Sequence, residues 1–374
     1  MTTRVLICPR EVSGALMECD AAGAPVRQHI RERLLELFGH HAAAETTAIT
    51  AGELAGEGGV LIVDDRAWFP PDAAMDAVLS AVDTSRSCRI ISQQSETLAV
   101  LLERNALREG AHELHDLCGR ILAGTHRSPG DSVDIVSTGM LIDGFDDVAK
   151  LEAAVLTRRA HAAMRNGVRL RDPNRVYIRG SLVCGANVTV DIDVIFEGEV
   201  TLGDNVRVDA HSIVRGTNIR AGTWVKAFSL VEDADVGAGC TIGPYARIRP
   251  SSRIGDRCQI GNFVEIKGSS IGSGCRINHH SFIGDALLAE RVTIGAGTIT
   301  CNHDGTKTNQ TVIGHDAYIG SGCQLVAPLR IGDGATIGAG STITADVPSA
   351  MLALARSRQV TIPGWHGPRS RRSE

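Results

Sequence analysis

A branched aliphatic residue returns at every sixth position through most of the stretch from Val188 to Ile343. Leu230, Val236, Ile242, Ile248, Ile254, Ile260 and Ile266 make one run, and Ile313, Ile319, Leu325, Ile331, Ile337 and Ile343 make another. Glycine follows directly in Ile242-Gly243, Ile260-Gly261, Ile294-Gly295 and Ile337-Gly338, so each hexad reads as one short strand and one corner. A helix repeats every 3.6 residues and a strand every 2, and a strict six fits neither. It fits a parallel β-helix in which three hexads close a triangular coil. Coils then stack at about 4.8 Å with the aliphatic side chains inside. A β-sandwich would show alternation at two and irregular turns, which this stretch does not.

The chain has 374 residues, more than the repeat needs, so two domains are expected. Residues 1–145 alternate between strand and helix patterns, as in a small α/β domain. Val5 to Ile7, Val60 to Val63, Arg89 to Ser92 and Asp134 to Val136 read as strands. Val26 to Phe38, Asp72 to Val82 and Leu98 to Arg104 read as helices. Residues 146–170 read as a connecting helix. Leu151, Ala154, Val155 and Ala162 lie on its apolar side, Arg158, Arg159 and Arg165 on its solvated side, and Gly167 stops it. The β-helix is expected over 171–350, starting near Asp172-Pro173, and a tail with Arg369, Arg371 and Arg372 over 351–374.

A net charge of −5 gives no basic field for nucleic acid or an acidic membrane. There is no long apolar span or secretory leader pattern, and a cytoplasmic protein is expected. The ten cysteines form no C-x-x-C pair, so disulfides and a zinc site are not expected. Those within the repeats read as small packed side chains.

A regular stack has few places for chemistry, so departures from the repeat carry the information. Asn278-His279-His280 fills one hexad, and the polar stretch from Thr298 to Gln310 interrupts the repeats as a loop thrown out from the coil. Around these lie Gly167-Val-Arg-Leu-Arg-Asp-Pro173, Thr241-Ile-Gly-Pro-Tyr-Ala-Arg-Ile-Arg-Pro250 and Gly261-Asn-Phe-Val-Glu-Ile-Lys267. Ile294-Gly-Ala-Gly-Thr-Ile-Thr-Cys-Asn302 and Gln324-Leu-Val-Ala-Pro328 follow. Together they resemble the acetyltransferase half of the bacterial bifunctional glucosamine-1-phosphate acetyltransferase / N-acetylglucosamine-1-phosphate uridyltransferase family, over about residues 146–366.

The resemblance implies a left-handed β-helix, a homotrimer with sites between subunits, and acetyl-CoA as donor. It implies that His279 is the general base, a task that imidazole suits near neutral pH. Glu265 would orient it, and the backbone N–H of Ala296 would meet the oxyanion. Arg249 and Lys267 match the pair that holds the acceptor's phosphate. Asn302 matches a contact to the sugar and the reacting amide. Ser321, Ala339 and Arg356 match coenzyme A contacts.

Three acceptor positions depart from the family pattern. Phe282 and His303 stand where tyrosines are usual, and Thr293 stands where an asparagine is usual. The acceptor is therefore expected to be glucosamine 1-phosphate or a related amino-sugar phosphate. Upstream, Ala22 to His29 and Leu61 to Asp65 resemble segments of sugar nucleotidyltransferases, with the family's metal-ligand asparagine falling near Asp146 or Asp147. The glycine-rich loop and its cation are missing between Val5 and Pro25, so the domain reads as shortened and inactive. Two alternatives remain: an enzyme retaining UTP-dependent uridylyl transfer, which would need Mg2+, and a non-catalytic trimeric scaffold.

Overall fold

The structure is a computed structural model. It describes residues 140–365 continuously and, before them, 4–8, 20–22, 24–26, 28–30, 32, 44–45, 59–64, 67–68, 88–91, 97–103 and 133–136. The chain divides into two compact units, Met1–Arg159 and Ala160–Glu374.

Among the described residues of the first unit, six strands form a mixed sheet. Arg4–Cys8 lies parallel to both Ala44–Glu45 and Gly59–Asp64. Thr97–Glu103 lies antiparallel to Gly59–Asp64 and to Cys88–Ile91, and Val133–Val136 closes the sheet in parallel. The strands expected from the sequence are present. The helix expected over Leu98 to Arg104 is not: that segment is the strand Thr97–Glu103, paired on both sides. Its run Leu98-Ala-Val-Leu-Leu102 is apolar throughout, a pattern that periodicity cannot assign, and pairing on both edges decides it. Residues 26, 28–30 and 32 are helical, while the rest of the helix expected to Phe38 and all of Asp72 to Val82 lie outside the described residues.

The helix Phe145–Arg165 carries Asp146 and Asp147 in its first turn and Arg165 in its last, which complements its dipole. Val148, Leu151, Val155 and Ala160 are its buried residues. Arg158 and Arg159 are half-buried rather than solvated, and Arg159 Nη1 donates to Ala22 O at 2.6 Å. The helix stops at Gly167, whose φ of +91° suits glycine. Gly167 N donates to Met164 O and Val168 N to Ala163 O, which satisfies two terminal carbonyls.

The second unit is a parallel β-solenoid. Its first strand, Arg169–Leu170, pairs with Thr189–Val190 slightly ahead of the expected start, and its last, Leu352–Ala353, lies within the expected tail. Eleven strands form one sheet and seventeen the other, with most partners 17 or 18 residues apart, one coil. Strand interiors alternate as pleating requires, so Ile260, Ile266 and Ile277 face the core while Gln259, Glu265 and Arg276 face out. In one strand the inward residue is Val231, not the expected Leu230, which is only half-buried.

Two residues before several of the inward aliphatics stands a small side chain that donates to the next coil. Cys240 Sγ donates to Gly255 O at 3.0 Å, Cys258 Sγ to Gly272 O at 3.1 Å and Cys275 Sγ to Ala289 O at 3.1 Å. Thr223 and Ser281 do the same through oxygen. The repeat cysteines are thus interior spacers, as expected, and burial pushes the Cys184 thiol up to about 11.

Candidate functional site

One corner of the solenoid carries a continuous column of residues with positive φ: His211, Phe228, Tyr245, Phe263 and His280, all between 56° and 59°. Such a conformation is rare for bulky residues. Here their rings stack face to face at 4.8, 4.9, 5.2 and 5.0 Å, which returns part of the backbone cost. Beyond His280 the rings stop, and the same corner position is filled by Gly297, Gly322 and Gly340. A Cβ on Gly297 would come no closer than 3.8 Å to its neighbours, and one on Gly322 would meet nothing within 4 Å. Packing within the chain therefore does not require glycine there. The corner turns from a ridge of rings into a trough.

The residues that line this trough are the ones picked out from the sequence. Gly297 N donates to His279 O at 3.0 Å, Gly322 N to Ala296 O at 2.7 Å and Gly340 N to Ser321 O at 2.8 Å. His279, Ala296, Ser321 and Ala339 thus stack one per coil, and Arg356 Nη1 donates to Ala339 O at 3.0 Å. Five expected positions form one trail along the solenoid. The amides either side of Ala296 are spent inside the coil, Gly295 N on Ile319 O and Gly297 N on His279 O.

The imidazole of His279 is exposed, and its Nδ1 bonds to Asn262 Oδ1, one coil back. An oxygen partner puts the proton on Nδ1 and leaves the Nε2 lone pair free to accept. Glu265 does not orient this ring. Its Oε1 accepts from Arg249 Nη1 at 2.8 Å, because Glu265 and Arg249 share an outward strand face while His279 stands at the corner.

The anion-binding expectation has a visible basis in the outward column of the seventeen-stranded sheet. Arg179, Glu197, Arg215 and Glu232 alternate in sign and pair in turn, at 3.4, 2.5 and 2.8 Å. The next two positions are both cations. Arg249 N donates to Ile266 O, beside Lys267, so alternation breaks and two positive charges meet. Glu265 and Asp285 flank them, the latter at 3.9 Å from Lys267 Nζ.

On the same face the Phe282 ring folds over Gly284. A Cβ on Gly284 would meet Phe282 Cε1 and Cζ at 2.7 Å and Asn302 Nδ2 at 2.8 Å. Asn302 Nδ2 donates to Asp285 Oδ2 at 2.5 Å. Arg249, Lys267, Phe282 and Asn302 are therefore one cluster, and Asp285 ties part of it together. Thr293 is not in it: it faces out from the eleven-stranded sheet between Arg276 and Tyr318.

His303 opens the expected loop. The interruption is shorter than its polar sequence suggests, since Thr298 and Thr300 are fully buried in the coil and departure follows Cys301. Partners on either side are 25 residues apart instead of 17 or 18. His303 Nδ1 accepts from Gly305 N at 3.1 Å, and His303 and Thr308 form an antiparallel bridge. Asp304 accepts from Lys307 N, the Thr306 hydroxyl and amide, and Asn309 Nδ2, and these bonds hold its carboxyl well below the usual range. No group of metal-ligating side chains occurs among the described residues, and no helix among them is long and apolar enough to cross a membrane.

Asn262 and Asp285 were not singled out from the sequence. Each lies one coil before a residue that was, which is the signal that could have found them.

Comparison with known proteins gives two family models, the GMPPB C-terminal domain over residues 230–326 and the bacterial transferase hexapeptide over 310–345. The second fits a left-handed parallel β-helix of hexapeptide repeats. Among curated relatives, the bifunctional protein GlmU of Herminiimonas arsenicoxydans is 43% identical over 271 residues, 72% of this chain and 60% of that one. GlmU of Nitrosospira multiformis is 50% identical over 221 residues, 59% of this chain and 48% of the relative. GlmU of Chromobacterium violaceum is 46% identical over 310 residues, 83% of this chain and 67% of the relative. The chain spans between about half and two thirds of the length of these relatives.

Proposed function

The chain belongs to the family of the bifunctional protein GlmU, and on that premise we propose that it is an acetyl-CoA-dependent N-acetyltransferase acting on an amino-sugar 1-phosphate. What supports this most is the single trail from His279 through Ala296, Ser321 and Ala339 to Arg356, beginning where the aromatic corner gives way to glycine. A trough floored by glycine backbone suits a long thin arm such as pantetheine, with Arg356 at the far end for coenzyme phosphate.

In this reading the acceptor's phosphate lies against Arg249 and Lys267, and its amino nitrogen attacks the thioester carbonyl carbon. His279 Nε2 takes one proton from that nitrogen as the N–C bond forms. The Ala296 N–H meets the oxyanion. The C–S bond then breaks, and the proton held on His279 passes to the leaving thiolate.

The assembly is a homotrimer with each site completed by a neighbouring chain, and the protein works in the cytoplasm, where sugar phosphates and coenzyme A meet. Mg2+ belongs to uridylyl transfer, and the stretch between Val5 and Pro25 has neither the glycine-rich loop nor the lysine of that reaction, so the acetyl-transfer reading calls on no metal. Free thiol released from acetyl-CoA with glucosamine 1-phosphate and other amino-sugar phosphates is the direct test. His279→Ala is expected to lower kcat by about 10²- to 10⁴-fold without unfolding the chain. Thiol release at background for every acceptor, or an undiminished His279→Ala variant, would overturn the reading.

A further inference from the structure

Asp285 stands at the corner after Gly284 and has no role in the reaction as drawn above. Its backbone is left-handed, with φ of 51°, and its N–H donates to Lys267 O at 2.9 Å. Its Oδ2 accepts from Asn302 Nδ2 at 2.5 Å and faces Lys267 Nζ at 3.9 Å. Its Oδ1 sits above Gly268, where a Cβ would meet it at 3.1 Å. The side chain is only 27% exposed. One carboxylate therefore links the coil below, through Lys267, to the coil above, through Asn302.

The amide of Asn302 has two chemically different ends, a donor at Nδ2 and an acceptor at Oδ1. A carboxylate accepts only, so Asp285 selects the Nδ2 end by a charge-assisted bond and leaves Oδ1 for a ligand. An amine about to attack a thioester must point its lone pair at the carbonyl carbon and place its two N–H bonds on acceptors. His279 Nε2 is one acceptor. Asn302 Oδ1 is the second, provided the amide does not turn over. A reversed amide would present N–H to N–H and leave a donor unpaired.

We propose that Asp285 is a positioning residue of the acceptor site, holding the Asn302 carbonyl oxygen outward to receive an N–H of the acceptor's amino group. It also keeps the Lys267 ammonium at the edge of the site. The proposal rests on the acetyl-transfer reading.

The test is acetyl transfer to glucosamine 1-phosphate by the wild type, Asp285→Ala, Asp285→Asn, Asn302→Ala and the Asp285→Ala/Asn302→Ala double variant, with calorimetric acceptor binding and melting temperature for each. Each single alanine variant is expected to lower kcat about ten- to hundredfold, the scale of a hydrogen bond to a charged group. The double variant should lose no more than the worse single one. The KM for acetyl-CoA should move less than twofold. Asp285→Asn should recover at least tenfold of the Asp285→Ala loss, since its amide oxygen still accepts from Asn302. Asp285→Ser replaces Asp285→Ala should that variant not fold.

Additive losses, or an Asp285→Asn variant as impaired as Asp285→Ala, would overturn the proposal. A wild type that binds the acceptor without turning over defeats the acetyl-transfer reading alone, and the same non-additivity is then read from Kd. A Kd unmoved by both single alanine variants, or a wild type that binds no acceptor, overturns the placement of Asp285.

Discussion

His279 stands at the head of the trough, and its Nδ1 bonds to Asn262 Oδ1. In the acetyl-transfer reading, that contact gives Asn262 rather than Glu265 the task of fixing the tautomer. Asn262→Ala should lower kcat by about tenfold or more and kcat/KM for the acceptor with it, since the ring is then free to present either nitrogen. Glu265→Gln should do neither. It leaves Arg249 without its 2.8 Å carboxylate partner and so more available to phosphate, and the KM for the acceptor should stay level or fall. Steady-state kinetics of the two variants across pH decide between the assignments. The sequence made His279, Arg249, Lys267 and Asn302 legible because motif and chemistry coincide there. It left Asn262 and Asp285 hidden because their meaning comes from the residue one coil away. Both contacts span 17 residues, one short of the 18 that three full hexads would give.

The repeat itself was the most readable element, since an inward aliphatic every sixth residue leaves no other fold. What it could not show was the second column, the left-handed corner residue that follows each strand. There the change from Phe263 and His280 to Gly297 decides where a ligand can approach. Gly297→Phe should fold, because the same corner already tolerates rings one coil below and a Cβ on Gly297 would stand 3.8 Å from its nearest neighbour. It should also carry the aromatic ridge into the trough and raise the KM for acetyl-CoA by at least tenfold, with a modestly lower melting temperature from placing a side chain at φ of 72°. The loop after Cys301 is held chiefly by Asp304, which accepts four hydrogen bonds within it. Removing it in Asp304→Ala should release the turn and speed tryptic cleavage after Lys307, followed by mass spectrometry. Because the Asp304 carboxyl is held below its usual range, the wild-type turn keeps this support above the ordinary carboxylate pKa and loses it only as pH falls further. The strand Thr97–Glu103 shows the opposite limit of sequence reading, for its unbroken apolar run becomes a strand only through the two neighbours that flank it.

For the molecule as a whole, the trimeric reading makes a mass of three times the 39.6 kDa chain the expected result of sedimentation equilibrium. Activity should also fall on dilution below the dissociation constant of the trimer, since each site needs a neighbour. A single-chain mass with full activity would remove that part of the proposal. The first unit contributes a mixed sheet rather than more coils; among the described residues the four expected strands lie in it, and Ala44–Glu45 and Thr97–Glu103 join them without having been read as strands.

The 25-residue step across the loop has a broader meaning. Every coil presents the same hydrogen-bonding rim above and below, so the stack closes over the excursion and Ile299 still meets Gln324 in parallel register. A scaffold with interchangeable layers keeps its local geometry when material is spliced between two of them. Chemistry written across adjacent layers can thus diverge without the rest of the column having to be rebuilt.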